Sequence, residues 1–242
     1  MGMTNMKDWL LGIGLLCGCS LALAQQTEAP PGYWIAQQLP VGDGTTLQVL
    51  EDQRITREVH DENWGSGMDA DNLPEAADGQ PAEPLEAQAR LVSDSGQVLA
   101  QRALGYPLAN VKKAPLSGLP SPTFFLSIDQ TAPLGSYSGP LTEVLVPAQN
   151  RLDPVPCQDE SGEKRPLMFS HTGKAAWQIV PASGGGTETI LQVSSASTMV
   201  DDEFITTYRT FRYADGQWTA ASRQQPGYWD MEHDFPEPAL FP

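Results

Sequence analysis

Three kinds of residue in this chain could do chemistry, and none stands in a complete set. Histidine occurs three times, at His60, His171 and His233. His60-Asp61-Glu62 supplies a His-x-Glu, and Pro156-Cys157 opens a Pro-Cys-x-x-Cys, the two halves of a zinc deaminase site. The second cysteine is replaced by Glu160, so the ligand set is broken. No two histidines have the i, i+4 spacing of a helical zinc site. Gly135-Ser136-Tyr137-Ser138-Gly139 has the outline of a hydrolase elbow, but Tyr137 stands where the serine must be. Asp69-Ala70-Asp71-Asn72 begins like a calcium loop, and Pro74 and Gln80 occupy its required glycine and glutamate places. Gly184-Gly185-Gly186 lacks the following Lys-Ser or Lys-Thr of a phosphate loop. The expectation is a protein that is not an enzyme, with no cofactor and no metal.

The elements that position these residues read as strands. Phe204 to Arg223 is dense in Thr, Ile, Tyr, Phe and Trp around Asp215-Gly216. Asp-Gly fits both positive-φ positions of a tight primed turn, which sets Ala214 opposite Gln217 and Tyr213 opposite Trp218. Further hairpins are expected at 45–50 with 54–59, at 88–92 with 97–102, at 141–146 with 151–155, and at 175–180 with 188–193. Thr123 to Ile128 is a nearly continuous apolar run, the pattern of a buried strand. About ten short strands separated by turns imply an all-β fold, an antiparallel sandwich or a barrel-like arrangement. The tail from Asp230, with Pro236, Pro238 and Pro242, should lie extended against the domain. Pro-Gly-Tyr-Trp occurs twice, at 31–34 and 226–229, which suggests equivalent strand edges.

Of 242 residues, 22 are glycine and 21 proline, and the formal net charge is -16. An acid excess of this size argues against nucleic acid, which needs clustered Lys and Arg, and favours a basic protein partner. Lys7 followed by the apolar run Trp9 to Gly18 reads as an export leader, too short to span a bilayer. Two exits are open: cleavage after Ala22-Leu23-Ala24, or lipidation of Cys19 within Leu16-Cys17-Gly18-Cys19-Ser20. The expected organisation is a leader over 1–24, a tether over 25–34 and a β-rich region over 35–242. Within that region lie a mobile acidic loop at 61–84 and a possible subdomain junction at 107–122. Cys157 would be the cysteine that remains, too few for an internal disulfide, and is expected as a small buried hydrophobe.

With the Leu16–Ser20 lipobox pattern, the chain resembles the periplasmic immunity proteins, often lipid-anchored, that bacteria make against antibacterial effectors such as secreted phospholipases. The resemblance implies a periplasmic protein that binds an effector and blocks its active site. Candidate contact residues are Asp61, Glu62, Asp69, Asp71, Asp201, Asp202 and Glu203, with Trp64 as an aromatic anchor. Two other readings stay open: a structural or assembly envelope lipoprotein, and a secreted hydrolase using His60, His171 and His233.

Overall fold

A computed structural model describes residues 28–55, 84–131, 135–147, 151–181, 186–198, 200 and 203–242. The chain is all-β, with fourteen strands and one short 3-10 turn at Pro238–Leu240 among the described residues. The first sheet holds β1 (Tyr33–Gly42), β2 (Thr45–Asp52), β3 (Gln88–Ser93) and β4 (Val98–Ala103), in that order. The second contains β5 (Ala109–Lys113), β6 (Phe124–Asp129), β7 (Pro140–Leu145) and β10 (Met168–Ser170), ordered β10-β7-β6-β5. The third contains β8 (Pro156–Gln158), β9 (Lys164–Pro166), β11 (Ala175–Val180), β12 (Thr189–Ser197), β13 (Phe204–Ala214) and β14 (Gln217–Pro226). Its order is β11-β12-β13-β14-β8-β9. Among the described residues no sheet closes into a barrel, and the architecture is a sandwich extended to a third layer.

The layering follows from strand alternation. Phe124, Leu126 and Ile128 of β6 point to one side and pack with Leu47 and Val49 of β2 and Leu91 of β3. Phe125 points to the other side and joins Val144, Phe169, Phe211 and Trp218. The second sheet is therefore apolar on both faces, which is why β6 reads as an unbroken apolar run. Around Phe125 the rings of Phe169 and Trp177 stand edge-on, with centroids 5.6 and 5.5 Å away. A third cluster lies beyond the third sheet. There Leu191, Val193 and Tyr208 are covered by Trp229, Phe235 and Phe241 of the C-terminal tail. The tail is also tied by its backbone: Thr210 Oγ1 and Arg212 Nη2 donate to the Pro242 carbonyl at 3.0 and 2.8 Å.

Polar links hold the first two sheets in register. Arg102 of β4 forms a partly buried ion pair with Glu143 of β7. The edge strand β5 has its outward amides capped from the first sheet: Ala109 N–H donates to Glu51 Oε1 (3.1 Å) and Val111 N–H to Gln37 Oε1 (2.7 Å). Capping of this kind blocks further strand pairing there.

Most expected strands are present. The central hairpin has the expected register, with Tyr213 opposite Trp218 and Ala214 opposite Gln217, and φ of +52° and +80° at Asp215 and Gly216. The 45–50/54–59 hairpin is corrected. β2 runs on through Glu51 and Asp52, and β1 and β3 take its two edges. The turn that matters is Asp43-Gly44, with φ of +50° and +69°, joining β2 to a strand whose first residues were expected in a tether. Residues 151–155 meet β7 at a single bridge, Leu145 to Pro154, with Val155 N–H bonded to the Val144 carbonyl at 2.8 Å, because β10 takes the rest of that edge over Leu141–Glu143. Within 107–122 lies β5, a strand of the second sheet. The repeated Pro-Gly-Tyr-Trp is not structurally equivalent: Trp34 lies within β1 and is exposed, whereas Trp229 follows β14 and is buried.

Candidate binding surface

Four separate segments converge beside the β11 end of the third sheet. The turn before β11 is a tight one: Thr172 and Ala175 exchange backbone hydrogen bonds of 2.8 and 3.3 Å, and Thr172 Oγ1 accepts from Lys174 N–H. This turn sits directly on the 135–139 loop. A Cβ at Gly139 would collide with the His171 carbonyl oxygen, so only glycine permits the approach. The stacked loops bring Lys174 beside Tyr137. Phe204, first residue of β13, and Tyr228, just after β14, complete the group.

Lys174 Nζ lies 4.7, 4.6 and 5.3 Å from the ring centroids of Tyr137, Phe204 and Tyr228. Three ring faces around one ammonium make a cation–π cage. Tyr137 Oη accepts from Lys174 Nζ at 3.4 Å and from Ser197 N–H at 3.2 Å, which fixes the ring. Phe204 and Tyr228 meet edge-to-face at 4.8 Å. Tyr228 Oη donates to Asp230 Oδ2 at 2.9 Å, while Asp230 Oδ1 sits 2.6 Å from His233 Nδ1 and accepts Glu232 N–H at 3.1 Å. The hydrogen bond from His233, then that from Tyr228, hold the Asp230 carboxyl below the usual carboxylate range. The bond to Asp230 raises the Tyr228 phenol, so its hydroxyl stays a donor. Despite these contacts, Tyr137 is 55% exposed and Tyr228 45%.

Of the residues expected to contact a partner, Glu203 is described: it is exposed, directly before Phe204 on the rim of the cage. Asp61, Glu62, Trp64, Asp69, Asp71, Asp201 and Asp202 lie outside the described residues, as does Cys19. His171 and His233 both adjoin the cage, one under Gly139 and one on Asp230; His60 lies outside the described residues. Among the described residues, no group of three or more His, Cys, Asp and Glu is placed to hold a metal. Cys157 is buried, and that burial pushes its thiol up to about 11, far from nucleophilic at neutral pH. Sequence reasoning missed Lys174, Phe204, Tyr228 and Asp230 as a group. The one available signal was Tyr228 within the repeated tetrapeptide.

The class these features define is a three-sheet β protein with an exposed aromatic and acidic surface. Comparison with protein-family models, with curated proteins and with solved structures gives no match.

Proposed function

We propose that this chain is an exported envelope protein that works by binding another protein, as an immunity protein blocks an antibacterial effector in the periplasm. The observation that carries the reading is the exposed aromatic cage bordered by Glu203, Asp230 and Glu232 on a chain of net charge -16. Exposed tyrosines held in place by hydrogen bonds are ready anchors, since little conformational freedom is lost when a partner covers them. The acidic surround selects a basic partner and speeds its approach. Lys174 already fills the cage, so a guanidinium or ammonium from that partner would pair with Asp230 and Glu232 beside the exposed rings of Tyr137 and Tyr228. The export leader supplies the compartment, and the lipobox at Leu16–Ser20 an anchor.

The test is affinity capture from envelope extract with the chain as bait, run in parallel with the Tyr137→Ala/Tyr228→Ala double variant. The expected result is one stoichiometric basic partner, released by raised salt and lost with the double variant. A partner retained equally by both baits would refute the cage as the contact. An abundant envelope assembly captured instead would favour a structural lipoprotein.

A further inference from the structure

A second surface, independent of the cage, lies where β8 leaves β14. The two strands pair in parallel only at Trp218–Cys157 and Thr219–Gln158. Beyond Thr219 the chain of β8 turns away through Asp159, and β14 continues alone to Pro226. The phase of the β13–β14 ladder is fixed by Gly227 N–H, which bonds to the Phe204 carbonyl at 2.9 Å. With the register unbroken, Thr219, Ala221, Arg223 and Gln225 turn their amides and carbonyls to β13. Ala220, Ser222 and Gln224 turn theirs outward. The parallel pairing of Thr219 with Gln158 takes up the Ala220 N–H, but among the described residues nothing pairs with the outward groups of Ser222 and Gln224, and both residues are exposed. The contrast with β5 is direct, because its outward amides are capped by Glu51 and Gln37.

The open edge leads into a groove of about 580 Å³. Cys157, Met168, Phe211 and Ala220 give it an apolar floor, Arg165 and Arg209 are its cations, and Asp159 and Glu160 of the far wall are its acids. Arg165 is already engaged by Glu163 (2.8 Å) and Asp159 (3.8 Å). Arg209 makes no side-chain hydrogen bond or ion pair among the described residues, in a chain with more than twice as many acids as bases. The Asp159–Gly162 turn, closed by Gly162 N–H to Asp159 O at 2.9 Å, forms the far wall. A peptide laid antiparallel to β14 runs from Pro226 towards Ala220, so its C-terminal end arrives in the groove, at Arg209.

The geometry points to a strand-addition site: an extended segment of a partner protein pairs antiparallel with Ala221–Gln225 and places a carboxylate against Arg209. Main-chain bonds to Ser222 and Gln224 provide affinity, and the apolar floor selects a small apolar side chain next to the acid. The stretch 217–226 carries one charge, Arg223, so nothing along the edge repels an incoming strand. The carboxylate is a chain terminus or an acidic side chain, both of which share the chemistry that Arg209 recognises.

The probes are three hexapeptides: alternating threonine and valine as the free acid, the same peptide as its C-terminal amide, and an amidated version ending in glutamate. Amide hydrogen exchange is read on the 15N-labelled full chain. In the free protein Ser222 and Gln224 should exchange much faster than Ala221 and Arg223; equal protection of both sets means a covered edge and overturns the proposal. At saturation the acid-bearing peptides should slow exchange at Ser222 and Gln224 at least tenfold. Preference for the free acid assigns a chain terminus, and preference for the glutamate peptide a side chain. Arg209→Gln should weaken the acid-bearing peptides about tenfold and leave the neutral amide unchanged. Ser222→Pro removes one outward donor without touching the β13 ladder, and should abolish protection. No slowing by any peptide overturns the site. Slowing that is equal for all three and indifferent to Arg209→Gln overturns the carboxylate assignment.

Discussion

Asp52 closes the base of the segment between β2 and β3, and replacing it with asparagine should be among the most damaging single-atom changes in the protein. The side chain is fully buried. Its Oδ1 accepts Arg54 N–H at 2.9 Å and its Oδ2 accepts Leu85 N–H at 2.9 Å, so one carboxylate ties the exit of β2 to the entry of β3. The Arg54 guanidinium adds bonds of 2.9 Å from Nε and 2.5 Å from Nη2. An asparagine side chain in this place would keep one acceptor and turn an NH2 towards donors. Hydrogen bonds to a charged group contribute about 1.5–3 kcal/mol each, and an unsatisfied buried donor costs a similar amount. The Arg54 side chain is 26% exposed and recovers water, so its share is at the low end. The sum is about 3 kcal/mol for Asp52→Asn, or about 1 M in the urea midpoint for a slope near 3 kcal/mol per M.

Acidity offers an independent check on the same residue. Burial alone would raise the Asp52 carboxyl, but the bonds from Arg54 and Leu85 outweigh it and leave it lowered. A lowered carboxyl stabilises the fold fully above its unfolded value and loses that contribution as pH falls through its folded value. The gap between wild type and Asp52→Asn should therefore be constant from pH 7 to about 5 and close as pH drops below about 4. Urea titrations monitored by tryptophan fluorescence at several pH values measure it. A gap under about 1 kcal/mol at pH 7, or one that persists undiminished at about pH 2.5, would refute the reasoning.

Three further outcomes are expected. Gly139→Ala drives a methyl into the His171 carbonyl at a φ of +152°, and should cost at least about 2 kcal/mol while releasing Tyr137, seen as increased tyrosine mobility. Phe241→Ala removes a ring that meets Tyr208 edge-on at 5.4 Å and stacks on Phe235 at 5.6 Å; calorimetry should record a loss of about 3 kcal/mol. With its thiol near 11, Cys157 has about one thiolate per thousand at pH 8, so iodoacetamide should leave its peptide unmodified in the native chain and label it fully in urea.

The parts of the fold legible in the sequence are those whose information is local. Asp215-Gly216 fixes a turn, the turn fixes the register, and Tyr213 meets Trp218 as a consequence. Thr123–Ile128 is apolar without alternation because both of its faces are buried. β1 was missed because Tyr33–Gly42 contains Pro40 and two glutamines and alternates poorly, being an edge strand with bulges near Ala36 and Val41. β5 hides between prolines, its edge completed by side chains from another sheet. The cage was illegible for a different reason. Tyr137, Lys174, Phe204 and Tyr228 have no common spacing, and only the seating of Gly139 on His171 and the β13–β14 ladder bring them together. The acidic residues singled out from the sequence, Asp61 to Asp71 and Asp201 to Glu203, are conspicuous there by charge alone.

The C-terminal tail has a consequence for how the chain assembles. Residues 229–241 cover the outer face of a sheet whose strands are otherwise all upstream, through Trp229, Phe235 and Phe241. During synthesis that face stays wet until these residues emerge, with Leu191, Val193 and Tyr208 open to any passing apolar surface. Closure of the third sheet's outer face therefore waits on the last stretch of this sequence, and is completed by three aromatic rings.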